Sequence, residues 1–209
     1  MTTTRVAILD LGVAPDGVSS RPGSWRLAHL VGCAVGRRSP ARGSIVDADA
    51  LVVFDFGTGR DGMPAKSNEQ LARVALRFGT VPLLAQTEAA WLMATTGRVV
   101  IEIEALARRH HDCDERYVDT TSAARAAADL LAESPLATVG VIAHPAHAAR
   151  CAAICEAEGL RVVIPTQINM VDFDPASGQW WTRRRSLWVL REMAVLAHHA
   201  ASGVFRRRC

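Results

Sequence analysis

Short apolar runs alternate with longer stretches rich in Ala, Leu and Arg along this chain, and that alternation limits the fold more than any single motif. Leu51-Val52-Val53-Phe54 and Val139-Gly140-Val141-Ile142-Ala143 are almost continuously apolar. A strand of that kind must be covered on both faces, as parallel strands between helical layers are. The spacing predicts strands over Arg5–Leu11, Ala50–Phe56, Val81–Gln86, Arg98–Ile103, Thr138–Ala143 and Arg161–Ile164. It predicts helices over Trp25–Val35, Asn68–Phe78, Ala105–His111, Ser122–Glu133, Ala146–Glu158 and Leu187–Ala201. Gly79 and Gly159 follow two of these helices, where a left-handed residue ends the turn. Strand–helix alternation of this kind indicates a doubly wound α/β sheet. Its ligands bind outside the carboxyl ends of the strands, so the loops there carry the functional argument.

The 209 residues suit one domain spanning 1–209, with 172–209 as a C-terminal loop and helix extension. Apolar residues make up 49% and charged residues 22%, enough to bury a core without disulfide staples. The net charge of +3 is too mild for a nucleic-acid partner unless it is concentrated. Arg183-Arg184-Arg185 and Arg206-Arg207-Arg208 are short basic patches, and each reads as a solvated face or tail. The cysteines Cys33, Cys113, Cys151, Cys155 and Cys209 form no CxxC pair, and reduced, mostly buried thiols are expected. Met1–Arg5 leads straight into an apolar run without a signal-peptide pattern, and no run approaches the ~20 residues of a membrane span. The expected place is the cytoplasm, with no membrane span.

Three segments can carry chemistry. In Asp55-Phe56-Gly57-Thr58-Gly59-Arg60-Asp61-Gly62, glycines let main-chain amides approach an anion and Thr58 adds a hydroxyl. It completes neither a Walker motif nor a dinucleotide fingerprint, and an ordinary Gly-rich turn explains it equally well. Asp119-Thr120-Thr121-Ser122 opens an Ala-rich helix, so one residue is expected as the N-cap while the others border an anion site. The third is the strand ending in His144-Pro145, followed by a helix whose first turn carries His147 and Arg150 on one face. Arg150 can clamp a carboxylate or phosphate, and His147 can donate, accept or move a proton.

Other residues weigh less. His144 and His147, with His110, His111, Asp112 and Cys113, match no metal-ligand spacing, so no metal is expected. No Gly-x-Ser-x-Gly elbow occurs. His198, His199, Trp180, Trp181 and Trp188 read as packing and surface residues. Glu102 and Glu104 read as a solvated edge. Asp172–Trp181 reads as a loop that leads the chain across the sheet to the last helix.

Taken together, these segments resemble the YdcF-like family, which includes the SanA and ElyC proteins. Asp119-Thr120-Thr121-Ser122-Ala123-Ala124-Arg125-Ala126 resembles its Thr/Ser-rich segment opening a helix. His147-Ala148-Ala149-Arg150-Cys151 resembles its His-x-x-Arg motif after a strand, and Leu190-Arg191-Glu192 its closing Arg-Glu helix. Asp16-Gly17 or Asp61-Gly62 matches the N-terminal Asp-Gly loop. In the first case Arg26 takes the place of the family's helix arginine, and Gly57-Thr58-Gly59 that of its Ser/Thr-Gly-Gly loop. Its acidic residue corresponds to Asp114 or Asp119. The chain departs from the pattern at Ala143-His144 and Ala123-Ala124, where polar residues are usual.

The resemblance implies a Rossmann-like three-layer sandwich with a mainly parallel sheet and a C-terminal helical extension. It also implies a pocket for a small polar, anionic or nucleotide-like molecule, with S-adenosylmethionine as one such ligand. The leading expectation is an enzyme in which His147 and Arg150 are catalytic. Gly57, Thr58, Gly59, Asp119, Thr120, Ser122, His144 and Arg26 would then contact the ligand. The alternatives are a non-catalytic nucleotide- or S-adenosylmethionine-binding module that has lost the chemistry, and a metal-dependent hydrolase.

Overall fold

The computed structural model describes residues 27–36, 39, 41–60, 63–103, 119–132 and 137–203. The expected strand Arg5–Leu11, the expected helix Ala105–His111, Arg26 and both Asp-Gly turns lie outside the described residues.

Five short strands form one parallel sheet: β1 (Ala50–Val53), β2 (Leu83–Ala85), β3 (Val100–Glu102), β4 (Thr138–Ile142) and β5 (Arg161–Val163), in the order β3-β2-β1-β4-β5. The helices among the described residues are α1 (Leu27–Val35), α2 (Lys66–Leu76), α3 (Thr87–Ala94), α4 (Thr120–Leu130), α5 (Pro145–Ala157) and α6 (Arg185–Ser202). Right-handed crossovers put α2 and α3 on one face of the sheet and α4 and α5 on the other. The packing agrees, because α2 lies against α3 and α4 against α5. This is a Rossmann-like three-layer α/β sandwich. The strands are buried throughout β1 and β4, as continuous apolar runs require.

The outer surface of α5 is covered as well. Leu30 and Cys33 of α1 and Leu196 of α6 meet Ala149 and Ala153 of α5 in a second small core. All 13 residues of α5 are buried as a result, and its run of alanines allows the close approach. Among the described helices, none is long and apolar enough to cross a membrane.

Register fixes where the loops lie. Val53 of β1 pairs with both Ala85 of β2 and Ile142 of β4, so these strands end level with one another. The crossovers after β1 and β4 leave in opposite directions, which opens the crevice of a topological switch point between Phe54 and Ala143.

The helices start or stop within about two residues of expectation. The strands are shorter than expected. β1 stops at Val53 because the chain turns at Asp55–Gly57, and Gly57 adopts φ +88°. β2 begins only after Pro82, which has no amide to give and serves the sheet through its carbonyl, accepting from Leu51 N. Helix α3 was not expected at all. Its sequence Thr87-Glu88-Ala89-Ala90-Trp91-Leu92-Met93-Ala94 has no apolar stripe, and its first amides are satisfied from far away in sequence. Glu88 N and Ala89 N donate to the two carboxylate oxygens of Asp55 at 2.9 and 3.0 Å. Gly79 and Gly159 have positive φ, at +59° and +95°, as expected for helix stops.

Candidate functional site

The switch-point crevice is filled by the chain itself. After β5, residues 166–182 cross the carboxyl edge and bond to the loop after β1 and to α2. Lys66 N donates to Asp174, Asp172 N to Gln70, and Gly178 N to the Thr58 carbonyl. This crossing brings Phe173 and then Trp188 of α6 down onto Phe56 and the two histidines. Phe56 stacks on His144 with centroids 3.9 Å apart and 11° between planes. Trp188 meets Phe56 at 4.6 Å and His147 edge-on at 5.3 Å, and Phe173 meets His144 at 4.3 Å. The Trp188 indole N–H donates to the Ala146 carbonyl at 3.2 Å.

His144 is the N-cap of α5, its Nδ1 accepting from Ala146 N at 3.2 Å. Burial pushes its pKa down to about 3, and the Arg185 charge adds to the effect. His147 lies well below the usual histidine range, first through burial and then through Arg150, Arg191 and the neighbouring histidines. Both rings are therefore neutral at pH 7. Nε2 of His144 and Nδ1 of His147 have no hydrogen-bond partner among the described residues.

The Gly57–Gly59 loop also uses its polar groups internally. Gly59 N donates to Glu88 Oε1 at 2.7 Å and Ala65 N to Glu88 Oε2 at 2.8 Å, while the Asn68 amide reaches the same carboxylate at 2.9 Å. The amide that would greet a ligand anion is thus already held by a carboxylate. The glycines serve packing here. A Cβ on Gly57 would come within 2.6 Å of Ser177 Oγ and 2.7 Å of Thr182 Oγ1, and one on Gly59 would overlap the Met63 carbonyl. Thr58 is exposed, and its carbonyl also accepts from Ser177 Oγ at 3.2 Å.

Beside the closed crevice is an open cavity of about 350 Å³ between the start of α4, α5 and α6. Its walls are Asp119, Thr120, Arg150, Arg191, Ala194, Val195, His198 and His199. Asp119 is the N-cap of α4, accepting from Ser122 N at 2.7 Å. Arg150 is buried and fixed from behind by Glu192 of α6, with Nε 2.6 Å from Oε1. Its Nη1 donates to Thr120 Oγ1 at 3.3 Å, and that oxygen lies 3.4 Å from His147 Nε2. Thr120 thus stands between His147 and the cavity. The second oxygen of Glu192 is buried without a hydrogen-bond partner among the described residues. The Arg191 guanidinium lies over Trp181 and Trp188, at 5.1 and 5.6 Å from their centroids. His199 is lowered to about 4 by burial and by Arg150, with Asp119 pulling the other way.

The structure therefore brings Asp119, Thr120 and Arg150 to one cavity and puts His147 directly behind it. His144 lies in the aromatic cluster, and Gly57, Thr58 and Gly59 lie in the loop held by Glu88. Ser122 gives its amide to the cap. Arg191, Val195, His198 and His199 complete the cavity although the sequence reading takes the histidines for packing and surface. Positions 191, 194, 195, 198 and 199 recur at i, i+3, i+4, i+7 and i+8, so one helical face was the available signal. Glu102 accepts from Thr87 Oγ1 at 2.9 Å. Cys33, Cys151 and Cys155 are free and buried, and burial raises all three thiols. Among the described residues no three of His, Cys, Asp and Glu gather as a metal ion would need. His110, His111, Asp112, Cys113, Glu104 and Asp114 lie outside the described residues. The chain matches no protein-family model, no curated protein and no solved structure.

Proposed function

We propose that this protein binds a small molecule through a carboxylate or phosphate group in the cavity between α4, α5 and α6. The observation that carries this reading is the meeting of Asp119, Thr120 and Arg150, from two separate segments, on one cavity of about 350 Å³. That volume is at the small end of metabolite sites. Arg150 is the anchor, because Glu192 fixes its guanidinium while Nη1 remains directed toward Thr120. Buried ion pairs are often replaceable by apolar residues without loss of stability, so this one is better explained by what it presents. The resemblance to the YdcF-like family supports the same place, since Thr120, Arg150 and Arg191 all border the cavity.

The test is a thermal-shift and calorimetric series on the full chain with inorganic phosphate, nucleotides, sugar phosphates and S-adenosylmethionine. Saturable stabilisation by at least one of these compounds is expected. It should be weakened tenfold or more by Arg150→Lys, which keeps the charge but loses the planar fork. Arg191→Ala, on a partly exposed side chain, should weaken binding without threatening the fold. Absence of binding by the whole series and by simple carboxylates such as valerate would overturn the proposal.

One observation favours a second reading, in which the protein is an enzyme. The Thr120 hydroxyl touches both His147 Nε2 and Arg150 Nη1, which gives His147 a proton route to the cavity through one side chain. In that case His147→Gln keeps ligand binding and abolishes turnover of the bound compound. Turnover that survives the change would end the catalytic role for His147.

A further inference from the structure

The charges around the cavity come in opposite pairs. Arg150 and Arg191 are positive, while Asp119 on the wall and Glu192 behind Arg150 are negative. The formal sum of these four groups is zero. The signs also come from different helices. Arg150 comes from α5, whereas Asp119 sits at the start of α4, and Ala194 and Val195 form an apolar strip on α6.

Asp119 needs no charge for its structural task. Asn or Ser caps a helix as well as Asp does, so the negative charge is surplus to the hydrogen bond with Ser122 N. Its Oδ1 makes that bond, and Oδ2 takes no hydrogen bond from the described residues. A dianion placed here would face the Asp119 carboxylate on the wall, with the Glu192 carboxylate close behind Arg150. A molecule that carries one negative and one positive group would meet an opposite charge at each end.

We propose that the cavity takes a zwitterion of net charge near zero, an amino-acid-like group whose carboxylate meets Arg150, whose ammonium meets Asp119 and whose short aliphatic part lies on Ala194 and Val195. This rests on the cavity being the small-molecule site proposed above. The ammonium bonds to the exposed oxygen of Asp119, and the carboxylate accepts from Arg150 and the Thr120 hydroxyl.

The experiment is an NMR titration of the ¹⁵N-labelled full chain with four probes: L-norvaline, valerate, n-butylamine and inorganic phosphate. The amides of Thr120, Arg150 and Val195 report on the three walls. L-Norvaline should bind at least tenfold more tightly than valerate or n-butylamine, which each lack one of its charges. Asp119→Asn keeps the cap, so it should bring L-norvaline within about twofold of valerate while leaving valerate unchanged or tighter. Asp119→Ser, which also caps, should behave in the same way. If valerate or phosphate binds the wild-type chain as well as L-norvaline does, the zwitterion is overturned and the anion site stands. A preference that survives both Asp119 variants overturns it too. If none of the four probes shifts these amides, the anion site falls with it.

Discussion

The start of α3 and the start of α4 both look toward the carboxyl edge of the sheet, yet the chain has completed only one of them. At α3, Asp55 takes two helix amides, and Glu88 then takes Gly59 N, Ala65 N and the Asn68 amide. At α4, Asp119 takes one amide, while Thr120 and Arg150 face a cavity of about 350 Å³. A Gly-rich loop can therefore have the composition of an anion site and hold an anion that belongs to the protein. The difference lies in whether a carboxylate elsewhere in the chain reaches the amides first. The largest effects are expected where a charge is buried, and they separate the two regions.

Glu192→Ala removes the partner of buried Arg150 and leaves that charge uncompensated. The expected loss is about 3–5 kcal/mol of stability, measured by urea unfolding. If the loss is under about 1 kcal/mol, the pair does not fix Arg150 and the open site has no fixed anchor.

Glu88→Ala breaks the closed region. Two backbone amides and Asn68 lose a charged acceptor, for an expected cost on the order of 2–3 kcal/mol. Acetate at high concentration should restore part of that stability in the variant and not in the wild type, because the vacated amides would then be open to an external anion. Equal response of both proteins would mean that Glu88 does not occupy an anion position.

Acidification acts on the filled crevice through His144 and His147 and on the open cavity through His199. His144, His147 and His199 all have folded pKa values below the ordinary 6.5, so the unfolded chain takes up protons that the folded chain refuses. Stability should be insensitive to these groups above pH ~6.5 and fall below it. The fall continues until the folded groups titrate, near 4 for His199 and near 3 for His144. Each histidine contributes up to about 1.4 kcal/mol per pH unit inside its window. Replacing His144 by Gln should flatten the unfolding profile between pH 4 and 6. A profile of unchanged slope would show that His144 is not held neutral.

The smallest effect on stability belongs to Asp119→Asn, a few tenths of a kcal/mol by thermal unfolding, because the cap is kept. A loss above about 1 kcal/mol would make Asp119 structural and remove it from the open site.

The layered architecture was legible because continuous apolar strands and Ala-rich helices are local patterns. Gly79 and Gly159 marked helix ends for the same reason, since a positive φ is a property of one residue. What remained illegible depends on contacts across the sequence. Helix α3 starts on a carboxylate that lies 33 residues earlier, so no window around Thr87 contains its cap. His147 and Arg150 lie near the start of α5, as its third and sixth residues rather than both in the first turn, and the sequence does not tell an open crevice from a filled one. Phe173 and Trp188 decide that, and they arrive through a loop whose path is set by bonds to Thr58, Lys66 and Gln70. The closing face of α6 was overlooked because its histidines and small apolar residues look the same whether they pack or line a cavity.

All 13 residues of helix α5 are buried, and of them only Arg150 borders the open cavity. Its backbone amides have no local route to water, since exposing them requires the sheet, α4 and the α1–α6 cover to separate from it. Hydrogen exchange at these amides should therefore follow the unfolding of the whole molecule, while exchange at the start of α4 follows smaller openings. The helix that carries Arg150 is thus an internal gauge of global stability. A ligand at the cavity should slow exchange along it by the full free energy of binding, even at residues the ligand never touches.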